Sequence, residues 1–195
     1  MKGVAGMVLV LTMVCVAAAL ALSQVYNLTK GPIAEAEENE QLKAIKAVLP
    51  PYDNKPLEDK EVKEHDGEKL TFYVGKKDGK VVGRAVRVKA DTGYSGRIEA
   101  MLGISPKGVI TGLRVLKHSE TPGLGAKITE KAFTEQFNKK SLSNAKISVK
   151  KDGGDIDQIT GATISPRAVC LAVRLGLTAH KALYEKTKAK EGQTD

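Results

Sequence analysis

Leu70-Thr71-Phe72-Tyr73-Val74, then Lys77-Asp78-Gly79, then Val81 through Val88: this stretch decides how the chain folds. The first run is β-branched and aromatic, so it reads as a strand. Asp78-Gly79 is turn chemistry, and Val81 to Val88 reads as the hairpin partner. The same alternation continues downstream in Ile98-Glu99-Ala100-Met101-Leu102-Gly103-Ile104. Ser105-Pro106-Lys107-Gly108 then turns the chain into Val109 through Leu116. Hairpin follows hairpin, and no strand-helix-strand repeat appears. The expected class is α+β, a mainly antiparallel sheet with packed helices.

Working outward, Ala132, Phe133 and Phe137 have the spacing of a short helix, and Ile147 to Lys150 reads as a short strand before a turn at Asp152-Gly153-Gly154. A helix is expected from Pro166, with Ser165 as its N-cap and proline at the first helical position. Val169, Ala172, Val173, Gly176, Leu183 and Tyr184 form one apolar side, and Leu171, Leu175 and Ala179 a second, so this helix should be largely buried. The lysines from Lys186 to Lys190 suit its C-terminal end, with a disordered tail over 188–195. Upstream, Ile33 to Val48 reads as a helix rich in Ala, Glu and Lys that Pro50-Pro51 stops, and 53–69 as a charged surface excursion. The expected organisation is an anchor over 1–29, a connector over 30–69 packed on the domain, and the folded domain over 70–187.

The anchor rests on the interval between Lys2 and Lys30, which contains no Asp, Glu, Lys, Arg or His. Val4 to Leu22 is almost wholly apolar, long enough to cross a bilayer core of about 30 Å. Ala17-Ala18-Ala19-Leu20-Ala21 would also suit a signal-peptide cleavage site, but the apolar run exceeds a typical signal core, and Tyr26 and Lys30 sit where interfacial anchors belong. An uncleaved single span is therefore expected. Few charges flank it, and an N-in insertion would leave the domain on the non-cytoplasmic side.

The formal net charge of +8 is uneven: residues 80–195 hold 21 Lys+Arg against 11 Asp+Glu. No aromatic stacking surface or nucleic-acid reader motif accompanies this excess, so a nucleic-acid binder is not expected, whereas attraction to membrane lipid or an anionic cofactor is. Cys15 and Cys170 form no disulfide framework, and His65, His118 and His180 lie far apart, so no metal site is expected.

The chemistry concentrates in Asp157-Gln158-Ile159-Thr160-Gly161-Ala162-Thr163-Ile164-Ser165-Pro166. Gly161 and Ala162 leave little side chain to shield a neighbouring hydroxyl, and Asp157 could orient it. The chain just before a helix N-terminus offers free N–H donors and the positive end of the dipole, a place for phosphate. Thr160 and Thr163 both flank the Gly-Ala pair. Thr163 stands closer to the expected helix start and is preferred. Two further loops, Gly93-Tyr94-Ser95-Gly96 and His118 through Lys127, contain turn glycines that would let backbone approach a flat ligand, with Leu124 resting on a ring face.

The order and wording of these three pieces resemble the G subunit of the Rnf electron-transport complex, across essentially the whole chain. The C subunit of the sodium-pumping NADH:quinone reductase is a more distant likeness, sharing Glu120-Thr121-Pro122-Gly123-Leu124-Gly125 and Gly161-Ala162-Thr163. The family commonly has Ser-Ser where this chain has Ser165-Pro166. The resemblance implies an FMN-binding domain in a bacterial or archaeal cytoplasmic membrane protein, with FMN held as a phosphoester on Thr163 after a flavin transferase delivers FAD. It implies a pocket formed with Asp157, Thr160, Gly161, Ala162, Glu120, Thr121, Gly123, Leu124, Gly125, Tyr94 and Ser95, and the other Rnf subunits as partners. The chain would be an electron-carrying subunit of an ion-translocating oxidoreductase, with no substrate chemistry of its own. The alternative is a membrane-anchored scaffold paralogue whose flavin site is unused.

Overall fold

The computed structural model describes residues 2–185; the lysine-rich segment and the tail expected beyond Glu185 lie outside the described residues. The chain divides into two compact units, one through Gln41 and one from Leu42 onward.

The first unit is helical. Helix α1 is assigned over Lys2–Val48, with Pro32 inside it, so the expected anchor and the expected Ile33–Val48 helix form one element. An 18-residue window near its start has mean hydropathy 2.6 and none of it is buried. It is the one helix among the described residues long and apolar enough to cross a membrane.

The second unit is built on a five-stranded antiparallel sheet whose spatial order follows the chain. The strands are β1 Lys60–His65, β2 Glu68–Lys77, β3 Lys80–Ala90, β4 Ile98–Ile104 and β5 Ile110–Lys117. The β2–β3 hairpin turns at Asp78-Gly79, both at positive φ (51° and 74°), the type I′ geometry that follows strand twist. The β1–β2 hairpin repeats the device at Asp66-Gly67, with φ 51° and 77°.

The sheet thus starts at Lys60, inside the stretch expected to be a surface excursion. Strand β1 is rich in Lys and Glu and lies at an edge, paired only to β2. Charged residues at an edge resist pairing with a stray strand, so they hide the strand from a search for apolar alternation.

Both faces of the sheet are covered. Phe72, Val86, Val88, Leu102 and Ile104 pack with helix α3 (Ile164–His180) on one side. Tyr73, Ala85 and Met101 point the other way, against Ala44, Ile45, Val48 and Leu49 around the end of α1. This second contact depends on glycines. A Cβ at Gly103 would stand 2.1 Å from the Val48 carbonyl oxygen, and one at Gly112 would stand 2.8 Å from the Val48 Cα. Gly103 and Gly112 face each other across β4–β5, and the Thr111 hydroxyl donates to the Val48 carbonyl at 2.5 Å.

Beyond β5, the expected short helix is α2 (Lys131–Thr134) continued by a 3-10 turn over Glu135–Phe137, and Phe133 and Phe137 are buried on them. Ile147 to Lys150 is not a strand. It contributes a single parallel bridge between Val149 and Ile156, and a 3-10 turn begins at Lys150. Helix α3 buries Val169, Ala172, Val173 and Gly176 and ends at His180; Leu183 and Tyr184, expected on the same side, are partly buried on a π-helical turn over Lys181–Glu185, and Leu175 remains 46% exposed. The second side is therefore partly at the surface.

Candidate functional site

Helix α3 begins before the Ser-Pro pair that was expected to cap it. Its N-cap is Thr163, at φ −78° and ψ −28°, with no side-chain cap hydrogen bond. The first intrahelical bond runs from the Arg167 N–H to the Thr163 carbonyl at 3.2 Å. Ile164 and Ser165 therefore present N–H groups without intrahelical partners, and Pro166 has none to lose. Ser165 lies inside the helix, 1% exposed, with its hydroxyl turned elsewhere.

The turn before the helix is closed by the Ala162 N–H on the Ile159 carbonyl at 3.0 Å, with Gly161 at φ 76°. A Cβ on Gly161 would meet Leu124 Cδ2 at 3.4 Å, so the two glycine loops touch here. Leu124 reaches that point on a second turn, in which its N–H donates to the Thr121 carbonyl at 3.2 Å and Gly123 takes φ 74°. Proline followed by a positive-φ glycine is the type II pattern.

Between these loops lies a cavity of about 350 Å³. It is lined by Gly161, Ala162, Thr163 and the first residues of α3, and by Glu120, Thr121, Leu124 and Gly125 of the other loop. Tyr94 completes the rim. Tyr94, Leu124 and Ile164 are 69%, 44% and 42% exposed, so the lining includes apolar surface open to solvent.

Glu120 is the unusual member, a carboxyl only 4% exposed. Its Oε1 accepts the Ser95 N–H at 3.0 Å, and its Oε2 accepts the Ser165 hydroxyl at 2.5 Å. Its own N–H donates to His118 Nδ1 at 3.2 Å.

Of the residues expected at the site, Thr163, Gly161, Ala162, Glu120, Thr121, Leu124, Gly125 and Tyr94 line the cavity. Ser95 reaches it through its bond to Glu120, and Gly123 shapes the turn behind Leu124. Thr160 is exposed in the turn and outside the cavity wall. Asp157 stands apart: its carboxylate pairs with Lys150 Nζ at 2.7 Å and its N–H donates to Gln136 Oε1 at 2.7 Å. Ile164 and Ser165 line the cavity unexpectedly, Ser165 because the helix starts earlier than its Ser-Pro signature suggests.

The first turn of α3 is held from outside by Arg167, whose Nε and Nη2 donate to the two Asp152 oxygens at 2.7 and 2.5 Å. That guanidinium holds the Asp152 carboxyl below the usual range. Elsewhere, burial pushes the Cys170 thiol up to about 12, so it is an inert core residue. Among the described residues no group of three or more His, Cys, Asp and Glu is placed to hold a metal.

Unpartnered N–H groups at a helix N-terminus, the Thr163 hydroxyl beside them and exposed apolar lining suit a phosphorylated, flat aromatic ligand. Known proteins point to the same class, since the FMN-binding domain family matches residues 93–178. Over longer spans the chain is 35% identical to the G subunit of an ion-translocating oxidoreductase complex of Aliivibrio fischeri, covering 91% of this chain and 90% of that one. It is 37% identical to the corresponding G subunit of Pseudomonas aeruginosa, over 86% of this chain and 84% of the relative. It is 34% identical to the G subunit of the Na⁺-translocating ferredoxin:NAD⁺ oxidoreductase complex of Acetobacterium woodii, over 90% of each. The chain belongs to the G-subunit family of the Rnf-type ion-translocating oxidoreductases. The crystal structure of Shewanella oneidensis NqrC shares the fold at TM-score 0.50 and 20% identity, covering 75% of this chain and 74% of that one. With its apolar N-terminal helix, the chain is a membrane-anchored member of that family.

Proposed function

We propose that this subunit relays electrons through FMN esterified to Thr163, within an ion-translocating complex that moves electrons between ferredoxin and NAD. The observation that carries the reading is the position of Thr163. It is the N-cap of α3 and lines the cavity, with no side-chain hydrogen bond capping the helix.

The residues present fit the group. The open N–H groups of Ile164 and Ser165 and the positive helix end favour a phosphate ester there. Gly161 lacks the side chain that would crowd the approach, and Leu124 and Tyr94 offer apolar surface to an aromatic ring. Attachment needs a separate flavin transferase with FAD. Thr163 would supply the hydroxyl oxygen that bonds to the FMN-side phosphorus of FAD in place of the pyrophosphate bridge, with AMP as the leaving group and the transferase taking the hydroxyl proton. Bound FMN supplies one- or two-electron redox chemistry, while the protein positions it and sets its surroundings. The flavin domain belongs on the non-cytoplasmic side of the membrane, the arrangement that N-in insertion of α1 produces.

Co-expression with a flavin transferase, followed by denaturing electrophoresis, tests attachment. A fluorescent band that survives denaturation is expected in the wild type and absent in Thr163→Val. A wild-type band without fluorescence would favour a scaffold paralogue with an unused site.

A further inference from the structure

We propose that Glu120 is a positioning residue that also sets the flavin's electrostatics, its buried charge holding the reduction potential of the bound cofactor low. This rests on the flavin reading above, and it begins from a group that is costly to bury. A carboxylate removed from water is tolerated only when its oxygens are hydrogen-bonded. Glu120 meets that condition with a backbone N–H on one oxygen and a hydroxyl on the other. Accepting on both oxygens suits an ionised carboxylate, which has no donor. Both donors are neutral, so they hold the charge without cancelling it.

The surrounding chain is cut to fit this side chain. A Cβ on Gly93 would stand 2.7 Å from Glu120 Oε1, and a Cβ on Gly125 would stand 2.7 Å from Oε2 and 2.6 Å from Ser165 Oγ. One carboxylate therefore ties together three segments distant in sequence: the loop of Gly93 and Ser95, the loop from His118 to Gly125, and the first turn of α3. Thr163 stands two residues before Ser165, so the clasp fixes the attachment point.

Glu120 is also one of the residues that line the cavity, with its carboxylate held just behind the surface by Ser95 and Ser165. Because Glu120 is buried, water screens its charge less than it would at the surface, and a fixed negative charge opposes an electron added nearby. Reduction of the flavin is therefore made harder, and removing the charge should make it easier. Glu120→Gln separates charge from clasp. Its amide oxygen accepts the Ser95 N–H, and its amide nitrogen donates to the Ser165 oxygen, so both links survive. Ser165→Ala does the opposite, breaking a link and leaving the charge.

The experiment is a redox titration of the full-length, flavin-loaded protein in detergent, with urea unfolding of the same samples. Glu120→Gln should raise the midpoint enough to change the reduced-to-oxidised ratio at least tenfold, about 30 mV for a two-electron couple. Ser165→Ala should move that ratio less than threefold while lowering the urea midpoint. A midpoint that moves in neither variant, or equally in both, overturns the inference. So does failure of Glu120→Gln to give a folded flavoprotein, because the amide keeps both hydrogen bonds. Wild type without covalent flavin would instead defeat the preceding reading, before the titration begins.

Discussion

Thr160 and Thr163 are the same residue type three positions apart, and only their surroundings separate them. Thr163 is half-buried in the cavity lining at the head of α3, while Thr160 is exposed in the preceding turn. Thr160→Val should therefore reduce flavin attachment only in part, measured as flavin absorbance per protein, where Thr163→Val abolishes it. His180 gives a different residue-scale prediction. It is 1% exposed beside the rings of Phe72 and Tyr184, with neither ring nitrogen hydrogen-bonded. Burial, and then the charge of Arg84, lower its pKa from 6.5 to about 4. The unfolded chain binds a proton below pH 6.5 that the fold refuses until about 4, so this site's stability is fully present above 6.5 and is lost as pH falls through that window. Each pH unit inside the window costs up to about 1.4 kcal/mol. Urea midpoints between pH 7 and 4 should fall accordingly, and His180→Leu should flatten the slope; an unchanged slope would remove His180 as its source.

At the scale of elements, legibility followed burial. Strands β2 to β5 could be read because each has a face in a core, which imposes alternation. Strand β1 could not, since it is a charged edge, although Asp66-Gly67 carries the same turn dipeptide as Asp78-Gly79. The start of α3 was misplaced for a related reason. Ser165-Pro166 has the composition of a cap, but Ser165 is drawn inward by Glu120, a partner 45 residues away that no local pattern announces. Asp157 likewise fits the motif in sequence while its carboxylate is taken by Lys150. The glycines of β4 and β5 show their purpose only once the end of α1 lies across them. Gly103→Ala would drive a methyl into the Val48 carbonyl. Overpacking of this kind costs roughly 1–3 kcal/mol, and the urea midpoint should drop to match. An Ala variant as stable as wild type would mean that the α1 end does not seat against β4.

At the scale of the whole molecule, an apolar helical segment leads into a flavin-type domain, and the family places such a chain in a membrane complex. Protease added to intact spheroplasts should digest the domain beyond residue 30. Protection until lysis would put it on the cytoplasmic side. Everything proposed for electron transfer depends on one covalent bond, between the Thr163 oxygen and the phosphate of FMN. Peptide mapping by mass spectrometry of the full-length protein, co-expressed with its flavin transferase, tests that bond most directly. An FMN-sized mass is predicted on the peptide containing Thr163, with fragmentation placing it on that residue. The same mass on Thr160 or Ser165, with Thr163 bare, would contradict it.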